Sequence, residues 1–192
     1  AKFFTNNCFH NCESRYKLAI MKLVNFKLIL SILLLSSISA FAVIDHEHLG
    51  DFGKSGAWTA YSYMDGTDKV CYMSSKPIAT KPNDLNRGDH LLQITNWTID
   101  KTNHEPSVLA GYTYKPNSMV TVEIGDNSYK FFTVEGRAWV AENQNEKQLI
   151  KDMKNGARVK VKSTSSRGTK ITDTYSLIGF TKALAAIDKA CS

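Results

Sequence analysis

Apolar and polar residues alternate in many short runs after residue 56. In Met119–Ile124, Val120, Val122 and Ile124 alternate with polar residues, which is typical of a strand with one buried face. Turn signals such as Asp65-Gly66 separate the runs. The alternation predicts strands over residues 58–63, 69–74, 91–99, 107–114, 119–124, 129–134, 138–141, 158–162 and 169–178. Residues 76–89 contain two prolines and are predicted to form a loop.

Two stretches change to a spacing of about 3.6 residues, which predicts helices. Each places apolar side chains on one face: Leu149, Ile150 and Met153 in residues 146–154, and Phe180, Leu184, Ile187 and Cys191 after Gly179. Asn155-Gly156 is a helix stop signal. Many short strands with two short helices predict an all-β protein built as a sandwich, and a closed barrel fits the same alternation.

The N-terminal 42 residues are predicted to lie outside the fold. From Met21 the chain has a short basic region, an apolar run over residues 28–38 and Ala40-Phe41-Ala42, the order found in a secretory signal peptide. An uncleaved membrane anchor is the alternative, although the run is short for a bilayer. We therefore interpret residues 1–20 as sequence upstream of the true start, 21–42 as the signal peptide, 43–56 as a flexible lead-in and 57–192 as the domain, with no transmembrane helix after cleavage.

The charge balance changes once the leader is set aside. The whole chain has a formal net charge of +6, but residues 43–192 contain 19 basic and 17 acidic residues, a net charge of about +2. The main argument for nucleic acid as a partner, a strongly positive net charge, therefore no longer applies. Residues 147–170 hold eight basic residues and one acid. The alternation of Arg158, Lys160 and Lys162 with valines favours a solvated outer strand face, and contact with anionic lipid or lipopolysaccharide is the functional alternative.

Two cysteines, Cys71 and Cys191, remain in the predicted mature protein. A pair of cysteines in an exported chain usually forms one disulfide, and free thiols are the weaker alternative. Cys8 and Cys12 have the spacing of half a metal site, but no second half follows.

No combination of residues predicts catalysis, a cofactor or a metal. His46-Glu47-His48 has too few ligands for a metal site, and His90 and His104 are interpreted as surface histidines in or beside loops. Asp173 is expected to hold a turn or the helix start, with a role as catalytic acid as the alternative. A larger set of aromatic residues is assigned to the core rather than to a ligand platform: Trp58, Trp97, Trp139, Phe131 and Phe132.

The tripeptide Arg87-Gly88-Asp89 lies in the predicted loop. Integrin receptors recognise this tripeptide in exposed loops, so it is a possible adhesion motif. The alternative is ordinary turn chemistry, since glycine beside charged residues is common in turns.

Several segments together resemble the invasion-associated locus B proteins of bacterial envelopes: GAWTAYSY, KVCYMSS, LAGYTY and SSRGTKITDTYSLIGF with the helix that follows. The resemblance implies an immunoglobulin-like sandwich in an exported protein, periplasmic, secreted or associated with the outer membrane. It also implies a non-enzymatic role in host-cell interaction or invasion, through contacts with an envelope or host-surface protein. A structural periplasmic accessory protein is the alternative. Many members carry a cysteine where this chain has Ser62, and its absence leaves Cys191 as the partner of Cys71.

Overall fold

The computed structural model describes residues 54–83, 85–99, 102–142 and 144–192, together with the backbone of one short strand at Glu47–His48. Within these residues the chain forms twelve strands and two helices. The strands are β1 (Glu47–His48), β2 (Lys54–Ser55), β3 (Trp58–Asp65), β4 (Asp68–Ser75), β5 (Ala79–Lys81), β6 (Leu91–Trp97), β7 (Thr102–Leu109), β8 (Met119–Ile124), β9 (Asn127–Val134), β10 (Arg137–Val140), β11 (Arg158–Thr164) and β12 (Lys170–Ser176). The helices are α1 (Glu146–Asn155) and α2 (Phe180–Ala190).

The strands form one antiparallel ladder rather than two separate sheets. Its order is β1-β3-β4-β6-β7-β10-β9-β8-β11-β12-β5, with β2 also paired to β3. The start of β3 meets the end of β12, where Ala57 N donates to Ile178 O at 3.0 Å and Trp58 Nε1 donates to Ser176 O at 2.9 Å. The predicted all-β class with two short helices is confirmed, and the sheet bends so that its far ends meet.

The alternation seen in the sequence becomes an inner and an outer face. Val120, Val122, Val159 and Val161 are buried as predicted, and they join a core to which almost every long strand contributes. Residues on opposite strands at the same register point to the same side. The polar residues between the valines therefore form a shared outer surface across β8, β9, β11 and β12.

Both helices cover the core with the predicted faces. Leu149, Ile150 and Met153 are buried under α1. In α2, Phe180, Leu184 and Ile187 are buried. The Phe180 ring meets Trp58 edge to face, with 5.1 Å between ring centroids. No helix in the described part of the chain has the length and apolarity needed to cross a bilayer.

The lead-in predicted as flexible contains the short strands β1 and β2, both paired with β3, and two segments of the predicted domain also differ from the sequence prediction. The loop over residues 76–89 contains β5, which pairs with β12 through Thr80 and Asp173. The strand predicted over residues 107–114 instead ends at Leu109 and begins earlier, at Thr102. It stops because Gly111 has a φ of 74° and approaches Gly88 so closely that a Cβ would lie 2.4 Å from Gly88 O. The strand-like residues that follow form only one isolated bridge, between Tyr114 and Ser165.

Candidate binding surface

The outer positions of β3, β4 and β6 carry aromatic side chains that lie beside one another. Tyr61 stands opposite Tyr72, and their rings stack with 5.2 Å between centroids. Tyr63 meets the same Tyr72 ring at 6.1 Å and a steep angle. Trp97, at the end of β6, lies opposite Val70 of β4. We call Tyr61, Tyr63, Tyr72, Trp97 and the nearby Trp139 the aromatic face.

The aromatic face surrounds a depression of about 310 Å³ that crosses five strands. Four of these aromatic residues line it, and the polar lining residues come from β6, β7 and β10; we call these the polar floor: Gln93, Thr95, Glu105, Ser107 and Arg137. A flat aromatic wall with a few convergent polar groups is the usual composition of a binding site. Rings stack on planar or apolar groups, and the polar floor orients them.

Arg137 is the cation of this floor. Its Nη1 donates to Gln93 Oε1 at 2.5 Å and to Ser107 Oγ at 3.0 Å. Both acceptors are neutral, and within the described ranges no carboxylate forms an ion pair with Arg137. Burial lowers the pKa of Arg137, while the charge of Glu105 opposes that effect. Because a guanidinium stays protonated in proteins, the depression holds a fixed positive charge.

The remaining polar groups are held in position. Trp97 Nε1 donates to Glu105 Oε2 at 2.6 Å, which fixes the indole and the carboxylate together. Burial, followed by the neighbouring charge of Asp65, raises the pKa of Tyr63. Burial also raises the pKa of Tyr72, with Tyr61 and Tyr63 as the next causes. These phenols are therefore neutral at physiological pH, and the floor presents one cation and one anion between uncharged rings.

A second depression, of about 590 Å³, adjoins the first and shares Tyr72 and Gln93 with it. It runs along β3, β4 and β6 towards residues 76–78, where Ile78 is exposed. The two depressions thus lie side by side on the outer side of β3, β4 and β6.

The sequence profile of the Invasion associated locus B (IalB) protein family matches residues 58–188, which run from the first core tryptophan to the last turn of α2. The chain belongs to this family.

An IalB relative of known structure has a similar fold. The crystal structure of invasion associated protein b from Bartonella henselae aligns with a TM-score of 0.50 and 14% sequence identity, covering 71% of this chain and 95% of that chain. At this identity the similarity concerns the fold alone. No curated protein sequence matches the chain significantly.

The predicted cysteine pair is present in this IalB chain. Cys71 and Cys191 form a disulfide with 5.9 Å between their Cα atoms. It joins β4 to the end of α2. Ser62 is buried and stands directly opposite Cys71 on β3, so a cysteine at position 62 would also lie beside Cys71.

The tripeptide Arg87-Gly88-Asp89 is not presented as an exposed motif. The side chain of Arg87 is only 4% exposed, and its guanidinium binds the carboxylate of Asp173. Only Gly88 and Asp89 face solvent. Recognition of the tripeptide as an adhesion motif would need an accessible arginine, whereas β5 brings this segment against β12 and buries the cation there.

Asp173 also has a different role from the expected one. It points into the protein from β12 and binds Arg87 and Thr80 Oγ1, at 2.6–2.8 Å. It fixes the segment after β5 rather than an adjacent turn or the start of α2. None of the hydrogen bonds described for it involves a histidine.

The histidines considered in the sequence analysis lie in different parts of the chain. His46 and the side chains of Glu47 and His48 lie outside the described residues. His104 lies within β7, not in a loop, and its Nε2 is 2.7 Å from Asp188 Oδ1 of α2. His90 Nδ1 lies 2.9 Å from Gly88 O. Within the described ranges, no three His, Cys, Asp or Glu side chains are grouped as metal ligands.

The aromatic residues assigned to the core divide between the two sides of the sheet. Trp58 and Phe131 are fully buried, as predicted. Trp97, Trp139 and Phe132 instead lie on the outer side, where Phe132 stacks on Trp139 at 5.8 Å. The sequence held a signal for this result, since adjacent residues of one strand point to opposite sides and Phe131 and Phe132 cannot both face the core.

Proposed function

We propose that this IalB protein is an exported envelope protein that binds a protein partner through the aromatic face and catalyses no reaction. The observation that carries the proposal is Arg137, a fixed cation whose described hydrogen bonds go to the neutral Gln93 and Ser107, in a depression that Trp97 and Trp139 also line. Aromatic residues and arginine dominate the energetic centres of protein interfaces. A partner carboxylate seated on Arg137, with its neighbouring groups stacked on the indoles, would use each of these features.

Export is supported by two independent features. Residues 21–42 have the order of a signal peptide, and the Cys71–Cys191 disulfide is of the kind that persists in oxidising compartments. We propose processing after Ala42 and a location in the periplasm or at the outer membrane. N-terminal sequencing of the exported protein should begin at Val43, and a retained residue 28–38 segment would contradict processing.

The family name motivates the finer proposal that the bound partner belongs to the host-facing side of the envelope and that the protein contributes to invasion. Cell fractionation with protease treatment of intact cells tests the side of the membrane. A protein degraded only after the outer membrane is opened would favour the alternative, a structural periplasmic accessory protein.

The binding surface is tested by exchanging its central residues. A strain lacking the gene is complemented with wild type, Arg137→Ala, Trp139→Ala, or Arg167→Ala as a matched control, since Arg167 is an exposed arginine outside the aromatic face. We expect host-cell association to be restored by wild type and Arg167→Ala only. A photo-crosslinking residue at position 139 should capture a partner in intact cells, while one at the exposed Ile178 should not. Full restoration by Arg137→Ala and Trp139→Ala would remove the aromatic face from the proposal.

A further inference from the structure

A row of lysine and threonine side chains crosses the outer side of five strands, β9, β8, β11, β12 and β5. The register places Lys130 opposite Thr121, Thr121 opposite Lys162, Lys162 opposite Thr172, and Thr172 opposite Lys81. Directly opposed residues of antiparallel strands point to the same side, and all three lysines are exposed. We call these five residues the lysine row.

The lysine row is the centre of a strongly basic face. Six cations lie on the outer side of these five strands: Lys81, Lys130, Arg158, Lys160, Lys162 and Lys170. Glu123 is the one acid on that side of these strands, and Lys162 Nζ binds it at 2.6 Å. The basic residues of positions 147–170 account for only part of this face. Lys81 and Lys130 come from distant strands, and the lysines of α1 do not lie on the face.

Exposed apolar side chains adjoin the row. Phe132 and Met119 stand opposite each other on β9 and β8, two positions from Lys130 and Thr121, and they are 41% and 46% exposed. Val134, two positions further along β9, is 52% exposed. A cationic array beside exposed apolar side chains is the composition of surfaces that lie on anionic membranes, with the cations at the headgroups and the apolar side chains just below them.

The spacing of the lysines indicates which kind of ligand could contact all of them. Neighbouring strands are about 4.8 Å apart, so the lysines stand roughly 10 Å from one another and the row spans roughly 19 Å. A single small anion would contact only one of these lysines, whereas a plane of phosphate headgroups contacts all of them. A second copy of the same face would bring like charges together, which disfavours self-association.

We propose that the basic face docks on a leaflet of anionic phospholipid, with the lysine row against the phosphates and Phe132 and Met119 at the acyl boundary. This site adjoins the aromatic face where Phe132 stacks on Trp139, but the lysine row lies outside that face, and its test does not depend on the partner proposed above.

The experiment is flotation of the protein, expressed from the full chain with its disulfide intact, with vesicles of phosphatidylcholine alone or mixed with phosphatidylglycerol. Wild type should float only with the anionic vesicles. Binding should fall sharply between about 0.1 M and about 1 M salt, since the Debye length shortens from roughly 10 Å to roughly 3 Å. Failure to bind anionic vesicles at low salt would overturn the proposal, as would binding to lipopolysaccharide micelles alone.

Two triple variants with the same change in net charge locate the site. Lys81→Gln with Lys130→Gln and Lys162→Gln neutralises the row, and Lys147→Gln with Lys151→Gln and Lys154→Gln neutralises the exposed lysines of α1. The row variant should lose about a hundredfold in partitioning, since each lysine near an anionic leaflet contributes about 1 kcal/mol and about 1.4 kcal/mol corresponds to a tenfold change. The α1 variant should bind nearly as wild type. Equal losses in both, with melting temperatures unchanged, would show attraction by net charge and overturn the assignment to this face.

Discussion

Arg87 and Asp173, 86 residues apart, form a two-pronged ion pair inside the protein. Nη2 lies 2.6 Å from Oδ1 and Nη1 lies 2.8 Å from Oδ2, and both side chains are 4% exposed. Burial lowers the pKa of Arg87, but the hydrogen bond and charge of Asp173 outweigh it and leave the pKa above its ordinary value. The pair attaches the segment after β5 to β12, in the position where the sequence had suggested an exposed motif.

Removing the cation alone should therefore destabilise the fold. Arg87→Ala leaves the Asp173 carboxylate buried without its charged partner, and loss of one member of a buried pair typically costs about 3–5 kcal/mol in the free energy of unfolding. Urea denaturation measures this loss. Arg87→Met combined with Asp173→Leu removes both charges and should cost less than the single change. A single variant as stable as wild type would show that the pair carries no net stabilisation.

The disulfide should stabilise the protein by closing a long loop. Cys71 and Cys191 are separated by 120 positions, and disulfides typically contribute about 2–4 kcal/mol by restricting the unfolded chain. Cys71→Ala with Cys191→Ala should lower the denaturation midpoint, and a reductant should lower that of wild type but leave the variant unchanged. Peptide mapping without reduction should recover a linked peptide containing both cysteines. Separate peptides with free thiols at these positions would contradict the pairing.

Gly179 should be far less tolerant of substitution than another glycine of similar backbone conformation. Gly179 has a φ of 90°, and a Cβ there would lie 1.9 Å from Ser55 O. Gly168 has a φ of 85° with open space around it. Both alanine variants lose about 1–2 kcal/mol of folding free energy, because a side chain disfavours the left-handed backbone conformation. In Gly179→Ala the new Cβ also overlaps the Ser55 carbonyl, and such crowding typically costs a further ~1–3 kcal/mol. Equal melting temperatures for the two variants would contradict the close approach of α2 to β2.

The pKa of Asp152 should depend on a tyrosine from β9. Asp152 accepts hydrogen bonds from Tyr129, Gln148 and Asn127, which lower its pKa, with Tyr129 the largest cause. Burial, followed by this hydrogen bond, raises the pKa of Tyr129 to about 12. In Tyr129→Phe the pKa of Asp152 should rise towards its ordinary value, as measured by NMR titration of its carboxyl carbon. Tyr112→Phe is the control, since Tyr112 bonds to Ser163 instead.

The sign of the accompanying stability change follows from the direction of the shift. A carboxylate whose pKa is lowered on folding stabilises the folded state above its unfolded pKa of about 4, and this contribution is lost as the pH falls through the lower folded-state value. Tyr129→Phe should therefore show a smaller loss of stability on acidification than wild type. An unchanged Asp152 titration in this variant would contradict the role assigned to Tyr129.

The sequence by itself determined the local elements and the family. Alternation identified the strand at Met119–Ile124 within its observed bounds, and a spacing of 3.6 identified the buried faces of both helices, because periodicity is a local property of the chain. The two cysteines of the predicted mature chain were sufficient to predict the disulfide, and the segments resembling the IalB family led to the correct fold class.

Only the tertiary structure decided which distant residues meet. Strand order and register are set by packing between segments far apart in sequence, so alternation cannot show that Lys81 joins a row with Lys130, or that Arg87 lies against Asp173. The prediction that Trp97 and Trp139 lie in the core was wrong for the same reason. It rested on hydrophobicity alone, which does not show which side of the sheet a residue faces. In the sheet these tryptophans lie on the outer side and line the same depression as Arg137, which is the surface on which the proposed function rests.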